Sequence, residues 1–275
     1  VKRTLRNLGV SVGMVVALLG VPELVLQVLD WPPQGIYEDP NQPVWRLRAG
    51  LVDAQVRFPE QDRTFPLHTN SLGFRGPEPV APHTVCLGDS TTFGWGVTQD
   101  EAWPALLGVA LGVEVLNAGT PGYSTHQGLA ELDRALSAGA ERVILAYLVR
   151  DADPAPVPDS ERGPGPSTGG LKLPQALRSL RPPGPTTPTG DAQRVPPEQF
   201  SENLTALVDR VRAAGAEPVL LAFPMVEPAT EHVAVLEDLG ALSPTLPRDA
   251  FFAEDPIHLT PQGNAELAAW LAEHL

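Results

Sequence analysis

Four short apolar runs, at residues 84–87, 113–116, 143–148 and 219–223, alternate with stretches of helical periodicity at 102–111, 125–137, 198–214 and 261–274. Strand-length runs that stay apolar on successive residues belong to strands buried on both faces, the condition of a parallel sheet covered by helices. The expected fold class is therefore α/β. Open parallel sheets present their chemistry at the carboxyl ends of their strands, so the residues after each apolar run are the ones to inspect.

The rhythm does not cover the whole chain. Residues 8–29 carry only Ser11, Glu23 and Gln27 as polar side chains, and as a helix they span about 33 Å, enough for a bilayer core. Lys2, Arg3 and Arg6 precede this run, so the positive-inside rule keeps the N-terminus cytoplasmic and places the rest beyond the membrane. No small-x-small cleavage site follows and no cysteine offers lipid attachment, which favours an uncleaved anchor, residues 1–30, over a cleaved signal peptide. Pro22 and Glu23 weaken the span, since a carboxylate in hydrocarbon is costly away from the interface. The plainer alternative is an amphipathic helix packed on the domain.

Residues 31–82 read as a linker and hairpin extension in which 51–58 and 64–69 are extended runs turning at 59–63. The motif HTNSLGFRG follows at 68–76, its Gly73 and Gly76 implying a tight loop. Residues 154–197 hold twelve Pro and six Gly, too many for an interior helix or central strand. They form an insertion, with a short helix expected at 175–180, and both a lid and disorder are open for the remainder.

Charge and thiol content exclude several classes. Nineteen Lys and Arg against thirty-three Asp and Glu give a net charge of −14, a field that repels phosphate backbones, so no nucleic-acid partner is expected. A single cysteine, Cys86, in an apolar run and expected buried, excludes an intrachain disulfide framework and a Cys-rich zinc site. There is no HExxH, Walker loop or GxGxxG, so no metal or cofactor is implied.

The chemistry lies at the strand ends. After the first run comes GDSTTFGWGV, residues 88–97, which puts Ser90 at the mouth of the sheet as a candidate nucleophile. Near the C-terminus DPIHL sets Asp255 and His258 three residues apart before the last helix. Serine hydrolysis needs such a pair: a base for the Oγ proton and a carboxylate that fixes the imidazole tautomer and stabilises imidazolium. Taken singly, DxxH is a helix cap with a surface histidine. Between them NAGTPGYST, residues 117–125, offers Gly119 and Gly122, where a backbone N–H can approach a ligand closely. Alone it would be a tight strand-to-helix turn. An α/β-hydrolase would show GxSxG, whereas Thr92 stands two after Ser90. His68 and His126 are read as loop residues, and Trp95 and Trp103 as either acyl-pocket walls or core.

These blocks, in this order, resemble the SGNH, or GDSL, hydrolases over residues 84–275 apart from the insertion, and HTNSLGFRG is similar to a segment of membrane-anchored bacterial members. The resemblance implies a flavodoxin-like three-layer α/β/α sandwich at 83–275, with Ser90 as nucleophile, His258 as base and Asp255 as its orienting acid. Ser90 and Gly122 N–H groups would form the oxyanion hole. The implied activity is a serine esterase or acyl hydrolase that cleaves ester or O-acetyl groups on a small molecule or envelope glycan, held by its helix outside the cytoplasmic membrane, on the periplasmic side. One block departs: AYLVRDADP puts Arg150 where the family has Asn and Asp151 at its Asp. Losing one oxyanion donor costs about 100- to 1000-fold in rate. Arg150 either supplies its own donors or points to solvent. Transfer of the acyl group to an envelope glycan, or binding without turnover, are the alternatives.

Overall fold

The computed structural model describes residues 2–29, 31, 35–38, 42–164, 171–179, 190–227 and 229–275. The chain opens with helix α1 (Lys2–Val28) and an antiparallel hairpin of β1 (Ala54–Phe58) and β2 (Arg63–Leu67). Strand β3 (Thr84–Gly88) runs into the single turn α2 (Ser90–Phe93), followed by α3 (Trp103–Leu111), β4 (Val115–Gly119), α4 (Thr125–Leu136) and β5 (Arg142–Ala146). Strand β6 (Pro154–Ala155), α5 (Lys172–Ser179) and β7 (Ala192–Gln193) occupy the insertion. Then α6 (Pro197–Ala213), β8 (Glu217–Leu220), α7 (Thr230–Asp238) and α8 (Pro261–His274) complete the order.

The main sheet is parallel, in the order β4-β3-β5-β8, with Gly88 beside both Gly119 and Ala146. Numbered within the sheet this is 2-1-3-4, the flavodoxin-like winding, whose switch point lies between β3 and β5. Successive side chains along a strand point to opposite faces. Val85, Leu87, Val143 and Leu145 meet Leu132 of α4 and Phe200, Leu204, Leu207 and Val211 of α6. Cys86, Ile144 and Ala146 meet Trp103 and Leu107 of α3 and Leu267 and Leu271 of α8. Three layers result, and both faces of β3 are fully buried.

Strand limits follow pairing rather than apolarity. β4 runs to Gly119 instead of stopping at Leu116, because Asn117 is satisfied inside the sheet: its Oδ1 accepts from Gly119 N–H at 3.0 Å and its Nδ2 donates to the Phe93 carbonyl at 3.2 Å. β8 covers 217–220 rather than 219–223, and Leu221 then bridges Leu242. Helix α7 was not expected, since its sequence is largely exposed, with His232 and Leu236 its buried residues.

The hairpin is shorter than its two extended runs, at 54–58 and 63–67, and turns on Pro59–Gln61 with Asp62 at φ 45°. Its inward residues Val56, Phe58, Phe65 and Leu67 pack with Phe93 and Val97, beside the turn that carries Ser90. Behind that turn lies Arg75 of HTNSLGFRG, 1% exposed. Its guanidinium donates to the carbonyls of Phe93, Gly94 and Val97, each at 2.7 Å, and lies 4.6 Å from the Phe93 ring centre. Burial pulls its pKa down to about 10, so the side chain keeps its charge at neutral pH.

One helix among the described residues is long and apolar enough to cross a membrane: Val10–Val28 of α1, with mean hydropathy 1.9. None of that window is buried, and α1 meets the insertion at α5 through Glu23. The Glu23 carboxylate accepts from the N–H groups of Lys172 and Leu173, at 2.8 and 2.7 Å. These are among the unsatisfied amides that any helix start exposes, here that of α5. Helix α5 begins three residues earlier than the expected 175–180, and Leu180 lies outside the described residues.

Candidate active site

The site is built at the switch point. Gly88 ends β3 where a Cβ would lie 2.1 Å from Thr92 Oγ1 and 2.5 Å from the Ala146 carbonyl, so only glycine lets the chain turn so tightly into α2. Asp89 caps that turn, its Oδ1 accepting from Thr91 N–H and Thr91 Oγ1 at 2.8 Å each. Ser90 is thereby the first residue of α2, 3% exposed. Burial pushes the Asp89 pKa up, against its Thr91 bonds.

The C-terminal piece is rigid for a local reason. Asp255 Oδ1 accepts from Ile257 and His258 N–H at 2.9 and 3.1 Å, folding the DPIH segment back on its own carboxylate. That leaves Oδ2 for His258 Nδ1, at 2.5 Å. His258 Nε2 then meets Ser90 Oγ at 2.8 Å, across 168 residues of sequence. Burial pushes the Asp255 pKa up, but the His258 contact and the two amides outweigh it and hold the carboxyl below its ordinary range. The nucleophile, base and acid expected from sequence form one line, all under 8% exposed.

Gly122 sits in the loop after β4 at φ +84°, a conformation that favours glycine. Among the described residues neither Ser90 N–H nor Gly122 N–H has a hydrogen-bond partner. Gly119 does something other than approach a ligand: a Cβ there would lie 2.3 Å from Phe93 N, so its bare α carbon seats β4 against α2.

Arg150 neither points to solvent nor stands free. Its Nη1 donates to Asp153 Oδ2 at 3.1 Å, its side chain is 27% exposed, and its Nε is buried without a partner. Asp151 turns inward, its Oδ1 accepting from Thr125 N–H at 2.8 Å and Thr125 Oγ1 at 2.6 Å. Burial, aided by the Asp89 charge, raises its pKa to about 7 against those bonds.

Phe58, Phe252, Trp45 and Arg194 lie beside the line or its Gly122 loop and were not singled out from sequence. Phe58 of β1 lies edge-on to the His258 ring at 6.0 Å and to Phe252 at 5.3 Å. Trp95 is half-buried beside Phe58 and Phe65, whereas Trp103 is core, its indole donating to the Thr91 carbonyl. Trp45 and Arg194 both reach the Gly122 loop. Val56 and Phe58 alternate with exposed Gln55 and Arg57 along β1, a local signal for an inward face that does not say which core the face meets. His126 belongs to the first turn of α4 rather than to a loop. His68 lies in the segment after β2, 3.0 Å from Asp53.

Residues 86–266 match the model of the GDSL-like lipase/acylhydrolase family. The chain belongs to that family. This GDSL-like acylhydrolase is thus an ester-hydrolysing enzyme of the SGNH type. Among solved structures it is similar to a G-D-S-L family protein from Desulfitobacterium hafniense DCB-2, with 16% identity over 70% of this chain and 98% of that one, TM-score 0.48. It is also similar to the M. smegmatis aryl esterase, with 18% identity over 70% and 98%, TM-score 0.45. A carbohydrate acetylesterase from Sinorhizobium meliloti shows 16% identity over 70% and 97%, TM-score 0.43. No curated protein sequence matches.

Proposed function

We propose that this acylhydrolase cleaves carboxylic esters, O-acetyl groups among them, by a Ser90, His258, Asp255 mechanism. The observation that carries the reading is the unbroken line from Ser90 Oγ through both His258 nitrogens to Asp255, at 2.8 and 2.5 Å. In the first half-reaction Ser90 Oγ attacks the ester carbonyl while its proton passes to His258 Nε2. The carbonyl oxygen becomes an anion held by the N–H groups of Ser90 and Gly122. His258 returns the proton to the leaving alcohol as the C–O bond breaks, giving an acyl-Ser90 ester. Water, deprotonated by His258, then releases the acid and restores the serine. Asp255 stays ionised throughout, in keeping with its lowered pKa.

In this reading residues 1–30 anchor the enzyme, 31–82 form the extension, and 83–275 are the catalytic domain interrupted at 154–197. The exposed apolar face of α1 supports insertion in a bilayer, with the catalytic domain on the extracytoplasmic side and an envelope ester or acetylated glycan as substrate. A fluorophosphonate is expected to add one phosphonyl mass to Ser90, and Ser90→Ala to lose both the label and ester hydrolysis. A wild-type chain that stays unlabelled sinks the mechanism. Acetate released to water, measured against acetate captured by a sugar acceptor, separates hydrolysis from transfer.

A catalytically weakened binder is favoured by one observation, the engagement of Arg150 with Asp153 where the family carries an oxyanion-donating Asn. A complete third donor is worth about 100- to 1000-fold. An asparagine introduced without its supporting contacts recovers part of that. Arg150→Asn is expected to raise kcat about tenfold at unchanged KM; a fall shows that the arginine itself assists turnover.

A further inference from the structure

We propose that Trp45 and Arg194, one from the N-terminal extension and one from the insertion, are positioning residues that hold the Gly122 amide in place as an oxyanion donor. The inference rests on the role given to Gly122 above.

A glycine at φ +84° sits between two peptide planes that are free to rotate unless something holds them. Here each plane is held by one side chain. The indole Nε1 of Trp45 donates to the Pro121 carbonyl at 3.1 Å. That carbonyl and the Gly122 N–H belong to the same peptide group, so fixing one oxygen direction fixes the direction of the donor. A hydrogen bond accepted by the carbonyl also polarises the amide and strengthens its N–H as a donor. On the other side Arg194 Nη1 donates to the Gly122 carbonyl at 2.8 Å and holds the next plane.

Both clamps are themselves braced. The Tyr123 hydroxyl donates to the Trp45 carbonyl, and the two rings meet edge to face at 5.3 Å. Neighbouring Arg46 pairs with buried Glu131 of α4 at 2.7 Å, and Gln127 Nε2 donates to the Pro43 carbonyl at 3.2 Å. A methyl added at Gly122 would lie 3.1 Å from the indole, so the ring covers the loop directly. Arg194 is paired with Asp159 at 2.7 Å, the carboxylate 1% exposed. Asp159 Oδ2 also accepts from Ser124 Oγ at 2.8 Å and Gln127 Nε2 at 3.2 Å, the capping-box residues of α4. The insertion ends are joined below this by β6 pairing with β7 and by Asp159 N–H donating to the Arg194 carbonyl at 2.7 Å. Charge-assisted bonds are roughly twice as strong as neutral ones, and a buried network whose members are satisfied rigidifies what it joins.

With Arg150 turned to Asp153, the hole has two backbone donors, and the fidelity of each matters more. The extension and the insertion therefore meet at the Gly122 loop, where they fix the direction in which this amide donates.

The test uses the full chain as wild type, Trp45→Phe and Arg194→Lys, assayed on p-nitrophenyl acetate and against a trifluoromethyl ketone whose adduct with Ser90 carries the oxyanion. Phenylalanine keeps a ring over Gly122 and removes the indole donor; lysine keeps the charge beside Asp159 and removes the fork. Each variant is expected to lose about tenfold or more in kcat, with KM within about twofold. The ketone's inhibition constant should rise by the factor by which kcat/KM falls, because the amide acts on the anion rather than on bound ester. Thermal midpoints and complete fluorophosphonate labelling show that fold and triad are intact. Folded variants with kcat/KM within about twofold of wild type, or a ketone affinity that does not follow kcat/KM, overturn the proposal. If Arg194→Lys does not fold, Trp45→Phe decides alone, its indole being partly exposed. A wild type that is not labelled at Ser90 fails the underlying reading instead, and does so before any variant is compared.

Discussion

Replacing Asp255 with Asn is expected to lower kcat on the order of 10⁴-fold while leaving KM within a few-fold, the scale seen when a serine hydrolase keeps the geometry of its acid but loses the charge. Asp255 Oδ1 is occupied by the Ile257 and His258 amides, and Oδ2 faces His258 Nδ1 at 2.5 Å. An asparagine that keeps its oxygen on the two amides turns its NH2 toward Nδ1. The imidazole then carries its proton on Nε2, where it cannot take the one on Ser90 Oγ. Imidazolium is also left without a counter-charge in a site where both partners are less than 10% exposed. Steady-state kinetics on a small acetyl ester read the loss directly. A reduction under tenfold would show that His258 is oriented by its backbone and by Phe58 and needs no carboxylate.

Asp151→Asn is expected to stabilise the protein, and only above acid pH. The folded pKa of Asp151 is about 7, against about 3.9 for an unfolded aspartate. Between those values the unfolded chain releases a proton that the folded chain keeps, so the unfolded state binds fewer protons and stability falls as pH rises. At about 1.4 kcal/mol per pH unit the penalty levels off near roughly 4 kcal/mol once the pH passes 7. Asparagine still accepts from Thr125 N–H and Oγ1 with its oxygen, and its NH2 takes the place of Oδ2, which has no partner. Urea unfolding from pH 4 to pH 8 should show the variant gaining on wild type steadily through this window and level with it, or below it, at pH 4. A difference that does not change with pH would mean that the carboxyl is already ionised in the fold at low pH.

The class of fold and the outline of the site could be read locally. Apolar runs spaced by helices are what a parallel sheet with two covered faces requires, and β3 and α8 lie within a residue of where periodicity puts them. Ser90, Asp255 and His258, which the structure brings into contact, could be picked out because the chemistry proposed for them depends on short spacings: a strand-ending glycine before Asp-Ser, and a carboxylate three residues before an imidazole. Strand ends at 119 and 220 were not legible, since pairing with β3 and β5 sets them and Asn117 finds its partners only inside the sheet.

The sequence by itself determined the alternation of buried strands and helices that sets the fold class, the presence of an apolar N-terminal helix, and the three residue types able to do acyl chemistry. Each of these is a matter of neighbours within a turn or a strand. Only the tertiary structure decided that Ser90 and His258 meet, that Arg75 caps the turn behind the serine, that Arg150 is tied to Asp153, and that Trp45 and Arg194 converge on Gly122. Arg150 and Asp153 stand three apart, but which way that arginine turns is set by the buried surroundings. The other contacts join residues 18 to 168 positions apart. A buried donor takes whatever acceptor the packed layers bring to it, and the spacing of residues along a chain carries no record of that.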